Sequence, residues 1–267
     1  MQTGRMRTDL VSEPGDATRS NEDFAGVGLP ASGQGGCVVV LDGVTPPDGG
    51  TGCLHSVPWF TARLGGALTE LTVSARDLTL PEILARAIRR TADAHTGTCD
   101  LSHPRTPQAT VALARWSAVA VEYLVLCDSA LLLRGPDGAV TPVLDDRLAR
   151  LPRSALATAA LVDANLRNKE GGFFTAAADP AVAARAVTGT LPRHEVRALA
   201  ALTDGATRWT ETFREGDWTA LFDLVAKEGA GPLVERVREL ESADRRERAF
   251  LGRAKTHDDA TVVYVEL

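Results

Sequence analysis

Aspartate recurs in this 267-residue chain at one kind of place, the end of an apolar run. Val38-Val39-Val40-Leu41 stops at Asp42-Gly43, and the apolar stretch 196–202 stops at Thr203-Asp204-Gly205. A third run, 119–127, gives way to Asp128-Ser129; Asp258 and Asp259 stand before the last run, and Glu22 and Asp23 before the first. A strand end is a rigid mount for a carboxylate. Several carboxylates gathered at one end of a sheet repel one another strongly unless a cation sits among them. Hard ions such as Mg²⁺ and Mn²⁺ take carboxylate, carbonyl and water oxygens. Gly43 has no Cβ, which lets its carbonyl approach an ion closely. Two ions sharing one carboxylate can hold a water between them, acidify it and aim it at phosphorus. A lone Asp-Gly reads as a turn. Two of them, with Asn21-Glu22-Asp23 and Asp258-Asp259 added, read as a metal-binding constellation.

Composition narrows the alternatives. Lys+Arg is 29 against Asp+Glu 35, a net charge of −6, which argues against a nucleic-acid binder that relies on a basic face. With 44% hydrophobic and 24% charged residues the chain is expected to fold. No stretch approaches 18 apolar residues and the first ten hold no apolar segment, so neither a membrane span nor a secretory signal is expected. The expected location is the cytoplasm, with no nucleic-acid or membrane partner. The four cysteines, Cys37, Cys53, Cys99 and Cys127, share no C-x-x-C spacing. Neither a disulfide framework nor a zinc–thiolate site is therefore expected, and Cys37 and Cys127, beside apolar runs, read as buried thiols.

The elements that would carry the carboxylates follow from periodicity. Residues 1–35 are a polar lead segment, and Cys37–Leu41 reads as a buried strand running into a Pro- and Gly-rich loop. Helices are predicted over 56–72 and from Pro81, then short strands over 109–116, 119–127, 130–134 and 139–144. Residues 145–168 have helical character, a short helix covers 180–187, and two more cover 217–228 and 231–249. The segment 257–267 closes as a strand. Trp59, Phe60, Trp116, Trp209 and Trp218 read as packing residues, and the run Arg236 to Arg248 as a solvated, mixed-charge helix face. With no repeat and no linker, one domain over 1–267 is expected, of the α+β class with helices outside antiparallel sheets.

Taken in order, these motifs resemble the metal-dependent protein phosphatases of the protein phosphatase 2C type. Asn21-Glu22-Asp23-Phe24 is similar to the family's N-terminal acidic motif, and Val38–Gly43 to its first Asp-Gly strand. Gln108-Ala109-Thr110 resembles its Gly-Thr-Thr strand start, and Leu126-Cys127-Asp128-Ser129 its Gly-Asp-Ser hairpin. Leu202–Gly205 resembles its second Asp-Gly motif, and Asp258-Asp259-Ala260-Thr261-Val262-Val263 its closing Asp-Asn-x-Thr strand. The resemblance implies a four-layer α-β-β-α sandwich, with two antiparallel sheets flanked by helices. It also implies two Mn²⁺ or Mg²⁺ ions, with a place for a third, and a metal-activated water that hydrolyses phosphoserine or phosphothreonine. The implied partner is a phosphoprotein, the target of a Ser/Thr kinase. Carried over by position, Asp42 would bridge both ions, Asp204 and Asp258 would hold one, and Glu22 with the Gly43 carbonyl the other. Asp128 would serve the weaker third ion, and Asp23 and Asp259 would orient ligands and waters.

The pattern also departs from the family. Thr18 stands where a phosphate-binding Arg is usual, and Arg19, one residue later, is the candidate for that role. Val44-Thr45-Pro46-Pro47 follows the first Asp-Gly with no histidine, which leaves His55 as the nearest candidate general acid. Cys127 replaces a glycine, and His257, beside Asp258, reads as an exposed loop residue. Two other readings stay open: a catalytically weak or inactive relative serving as a binding or regulatory module, and a phosphatase of a small phosphorylated metabolite. Substrate choice would lie in loops 44–58 and 163–178.

Overall fold

Two five-stranded antiparallel sheets lie face to face in the computed structural model, which describes residues 6–46, 50–247 and 255–267. The strands are β1 (Arg7–Glu13), β2 (Phe24–Gly28), β3 (Gly36–Leu41), β4 (Val111–Trp116), β5 (Ala120–Leu126), β6 (Ala130–Arg134), β7 (Val140–Val143), β8 (Val187–Pro192), β9 (Ala198–Leu202) and β10 (Ala260–Glu266). One sheet runs β1-β10-β9-β6-β7 and the other β2-β3-β4-β5-β8. The helices are α1 (Val57–Ser74), α2 (Leu80–Asp93), α3 (Ala159–Asn165), α4 (Asp204–Glu211), α5 (Trp218–Glu228) and α6 (Ala230–Glu247).

Alternation along the strands builds the layers. In β3, Val38 and Val40 point between the sheets and meet Leu199, Ala201, Val263 and Val265 of the opposite one. Val39 and Leu41 point the other way, onto Leu64 and Leu68 of α1 and Leu84 and Ile88 of α2. Buried on both faces, β3 reads as an unbroken apolar run. In β10, Val262 and Tyr264 turn outward onto Phe222 of α5 and Leu233 and Val237 of α6. The result is the α-β-β-α sandwich. Local signals set the helix starts: Ser56 caps α1 by accepting from the Trp59 N–H, and Thr79 with Glu82 forms a reciprocal capping box on α2.

Several expectations are corrected. Helical character over 145–168 resolves into turns, a 3₁₀ turn at Arg153–Leu156 and the short α3; the two caps, Pro152 and Thr158, each interrupt the chain. The short helix at 180–187 is a 3₁₀ turn that ends at Arg185 and passes into β8. The polar lead segment contains β1 and β2. Asp204 does more than end β9, since it also opens α4. The helix expected at 231–249 is α6, and 248–249 lie outside the described residues. Its charged run is not simply a solvated face, because Glu241 is fully buried and Asp244 nearly so. Cys37 and Cys127 are buried free thiols, but Cys53 and Cys99 are joined as a disulfide. The spacing hid that pairing, since α1 and α2 separate the two residues in sequence and fold them together in space. Among the described residues, no helix is long and apolar enough to cross a membrane.

Candidate metal centre

The strand ends β3, β5 and β9 and the segment entering β10 bring Asp42, Asp128, Asp204 and Asp258 together, so that Asp128, Asp204 and Asp258 all raise the proton affinity of Asp42. Burial first, and then Asp204, Asp23, Asp128 and Asp258, push the Asp42 carboxyl well above the usual carboxylate range. Burial, followed by Asp128 and Asp258, lifts Asp204 to about 7, although Arg208 and a hydrogen bond with Asp42 work against the rise. Asp128 is raised as well, again mainly by burial. Neither Asp42 nor Asp204 has an ion-pair partner among the described residues. Carboxyls placed in this way must share protons or share a cation.

The N-terminal acidic motif is pinned to the closing strand. Asp259 accepts from the Gly15 N–H at 2.8 Å and from the Glu22 N–H at 2.6 Å. Asp23 accepts from the hydroxyls of Thr203 (2.9 Å) and Thr261 (2.7 Å), while its other oxygen is buried without a partner. Burial lifts Asp23 to about 7 against those two bonds. The Glu22 carboxylate accepts from the Thr45 hydroxyl, and burial raises its pKa. Gly43 packs against Glu22 so closely that a Cβ there would sit 2.3 Å from the Glu22 carbonyl oxygen. The residue must therefore be glycine.

The donor set fits hard divalent ions: oxygen ligands only, negative charge in excess, and a glycine cradle beside Asp42. Asp258 is the exception. It accepts from Arg208 Nη2 at 2.8 Å and from Lys255 Nζ at 2.6 Å. Burial works against the charge on Lys255, but Asp258, and then Asp42 and Glu22, outweigh it and hold the ammonium above its usual range. An ion held by Asp258 would have to displace Lys255.

A cleft of ≈ 340 Å³ opens over the cluster, lined among others by Arg19, Glu22, Lys255, His257, Asp258 and Asp259. Asp16 accepts from the Thr18 N–H and hydroxyl, and the turn so formed presents exposed Arg19 at the rim. Asp128 lies on the far side of the cluster, in a hollow shared with Asp204, Arg208 and Glu211. His55 does not line the cleft. It borders a neighbouring hollow, its ring stacked on Trp59 and its Nδ1 3.4 Å from Cys99 Sγ. Cys127 has a left-handed backbone (φ 66°), a conformation that favours glycine. Its N–H donates to Asp145 Oδ2 at 2.8 Å, which helps hold the conformation in place.

The model of the protein phosphatase 2C family matches residues 18–242. The chain belongs to that family. No curated protein sequence matches. Among solved structures, the serine/threonine phosphatase Stp1 from Staphylococcus aureus is 12% identical with a TM-score of 0.61, over 98% of this chain and 95% of that one. The serine/threonine phosphatase PstP/Ppp of Mycobacterium tuberculosis is 18% identical with a TM-score of 0.59, over 98% of both chains. The S. agalactiae serine/threonine phosphatase is 13% identical with a TM-score of 0.58, over 98% of this chain and 100% of that one. At these identities the likeness concerns the protein phosphatase 2C fold, and family membership supports phosphatase chemistry.

Sequence reasoning missed Lys255 and Arg208. Lys255 is one of three lysines in the chain, three residues before Asp258, and Arg208 follows Asp204 by one helical turn. The Asp259 clamp gives a direct expectation. Asp259→Ala leaves two backbone N–H groups unpaired and should cost about 2–3 kcal/mol in thermal unfolding. It should also weaken Mn²⁺ binding by about 10–100-fold in calorimetry. Unchanged Mn²⁺ affinity would show that Asp259 does not position Glu22.

Proposed function

We propose that this chain is a metal-dependent phosphatase of phosphoserine and phosphothreonine in proteins phosphorylated by Ser/Thr kinases. The observation that supports this reading is the polarity of the cleft. The cleft is lined by the carboxylates of Glu22, Asp258 and Asp259 together with Arg19, Lys255 and His257, and buried Asp42 and Asp204 crowd against Asp258. That mixture of charge suits divalent ions among the carboxylates and a phosphate dianion beside the cationic groups. In this reading Asp42, Asp204, Asp258, Glu22 and the Gly43 carbonyl would hold two Mn²⁺ or Mg²⁺ ions. Asp128 would hold a weaker third. Bound there, the ions supply Lewis acidity and an acidified water as the nucleophile.

The chain's own groups do the rest. Asp259 fixes the backbone of Glu22, and Thr203 and Thr261 fix Asp23. Arg19 takes the phosphate from the rim. The leaving serine or threonine oxygen needs a proton, and His257 is better placed to give it than His55. The His257 ring lines the cleft, and its Nδ1 lies 2.8 Å from Glu241 Oε2, which orients it.

Hydrolysis of a phosphothreonine peptide and of an aryl phosphate, each with saturating Mn²⁺, tests this assignment. Both should turn over. His257→Ala should slow the peptide by about 10²-fold and the aryl phosphate far less, because nitrophenolate leaves without a proton. No Mn²⁺-dependent turnover of either substrate would end the enzymatic reading. The pairing of Asp258 with Lys255 and Arg208 favours a second one, a binding module in which Lys255 stands in for an ion. Calorimetry separates the two, since the module would take up no Mn²⁺ at millimolar concentration.

A further inference from the structure

Away from the cleft, four side chains converge that the phosphatase chemistry does not use. Cys53 and His55 stand in the loop before α1, and His95 and Cys99 follow α2. The two helices pack against each other, and the ring contacts of Trp59 and Phe60 with His95 put the start of α1 beside the end of α2. The backbones are laced at this point: the Asp100 N–H donates to the Gly52 carbonyl at 2.6 Å, and Gly52 turns with φ +70° hard against His103. One ligand atom from each of the four side chains lies within 4.8 Å of all the others. Cys53 Sγ is 3.4 Å from His95 Nδ1 and 3.7 Å from His55 Nδ1, and Cys99 Sγ is 3.4 Å from His55 Nδ1. Around a tetrahedral Zn²⁺, with its usual Zn–S and Zn–N bonds, an S···N edge is about 3.6 Å.

We propose that Cys53, His55, His95 and Cys99 form a structural Zn²⁺ site in the reduced chain. Zn²⁺ displaces the two thiol protons and takes two neutral imidazoles, so the completed site carries no net charge. That suits a place where His95 is buried and the other three are half-buried. The disulfide is the metal-free, oxidised alternative, and the two states exclude each other because both need the same sulfurs. A cystine alone does not account for the surroundings. The His55 backbone N–H also donates to Cys53 Sγ at 3.4 Å, and the Thr98 hydroxyl lies 3.7 Å from Cys99 Sγ. A thiolate accepts such contacts better than a neutral sulfur does, and the ring nitrogens that face the sulfurs supply lone pairs to the ion. Trp59 stacks on the His55 ring at 3.9 Å and lies 5.2 Å from that of His95, walling the site. The metal would staple the loop that carries Ser56, which lines the catalytic cleft, to the end of α2.

The test uses the full chain, purified with reductant and without chelator. Elemental analysis should find about one equivalent of zinc. Loading the stripped, reduced protein with Co²⁺ alone should give the thiolate-to-metal charge-transfer band and the intense visible bands of a tetrahedral ion. Both signals should persist in Asp42→Asn, which disables the acidic centre, and disappear in Cys99→Ser. The proposal is overturned if reduced wild-type protein with Co²⁺ shows no charge-transfer band. It is equally overturned if the reduced protein contains no zinc although Cys53 and Cys99 titrate as thiols with Cys37 and Cys127 once it is denatured. Neither readout depends on phosphatase activity.

Discussion

Asp42→Asn is expected to abolish turnover and, at the same time, to raise the melting temperature of the metal-free protein. The activity loss, about 10³-fold or more, follows from removing the carboxylate the ions would share. The gain in stability follows from linkage. Burial and its neighbours raise the Asp42 pKa in the folded state, and they lift Asp204 and Asp23 to about 7. Between the unfolded aspartate value and these raised values, the native state holds protons that the unfolded state has lost. Stability therefore falls as pH climbs through that window, and by pH 8 the metal-free cluster carries its full repulsion. Asparagine removes one charge from it. At pH 8 the variant should melt at least about 3 °C above wild type without metal, and the gap should narrow toward pH 5. Burial lowers the pKa of His95, and this opposes stability below its unfolded value, but it acts equally on both proteins. Saturating Mn²⁺ should reverse the order, stabilising wild type alone. A metal-free Asp42→Asn protein that melts below wild type at pH 8 would contradict this account of the cluster.

Arg208→Met should have the largest effect on stability. Arg208 bridges buried Glu241 and Asp258. Removing it strips a fully buried carboxylate of one cation and releases a residue of the acidic cluster. Loss of one partner of a buried pair costs about 3–5 kcal/mol. Glu241 keeps Arg238 at 2.9 Å and His257 at 2.8 Å, so the lower end applies. The expected fall in melting temperature is about 6–12 °C. Adding Glu241→Gln should recover part of it, and the double-mutant cycle measures the coupling. Strictly additive losses would mean that the two residues do not act as a pair.

The legible parts of the molecule were those where local pattern and tertiary position coincide. The run Val38–Leu41 is apolar because both its faces are covered, and an aspartate at its end can only be at a rim. β1 was hidden because it is an edge strand with mostly exposed side chains, held in place by its pairing with β10. β8 is likewise mostly exposed, and its strand character comes from pairing with β5. The convergence of strand-end carboxylates could be read, but their counter-charges could not. Arg208 meets Glu241 across 33 positions, and His55 meets Cys99 across 44. Such pairings depend on how α4 lies on α6 and α1 on α2, which no local periodicity encodes.

The Asp259 clamp also sets a timetable. It holds Glu22 across 237 positions of sequence, and β1 lies beside β10. During translation, a chain still short of Asp258 and Asp259 can build most of its strands and helices yet has no anchored acidic motif at its beginning. The acidic cluster is therefore completed only once residues 258–259 have been made, whatever has folded before them.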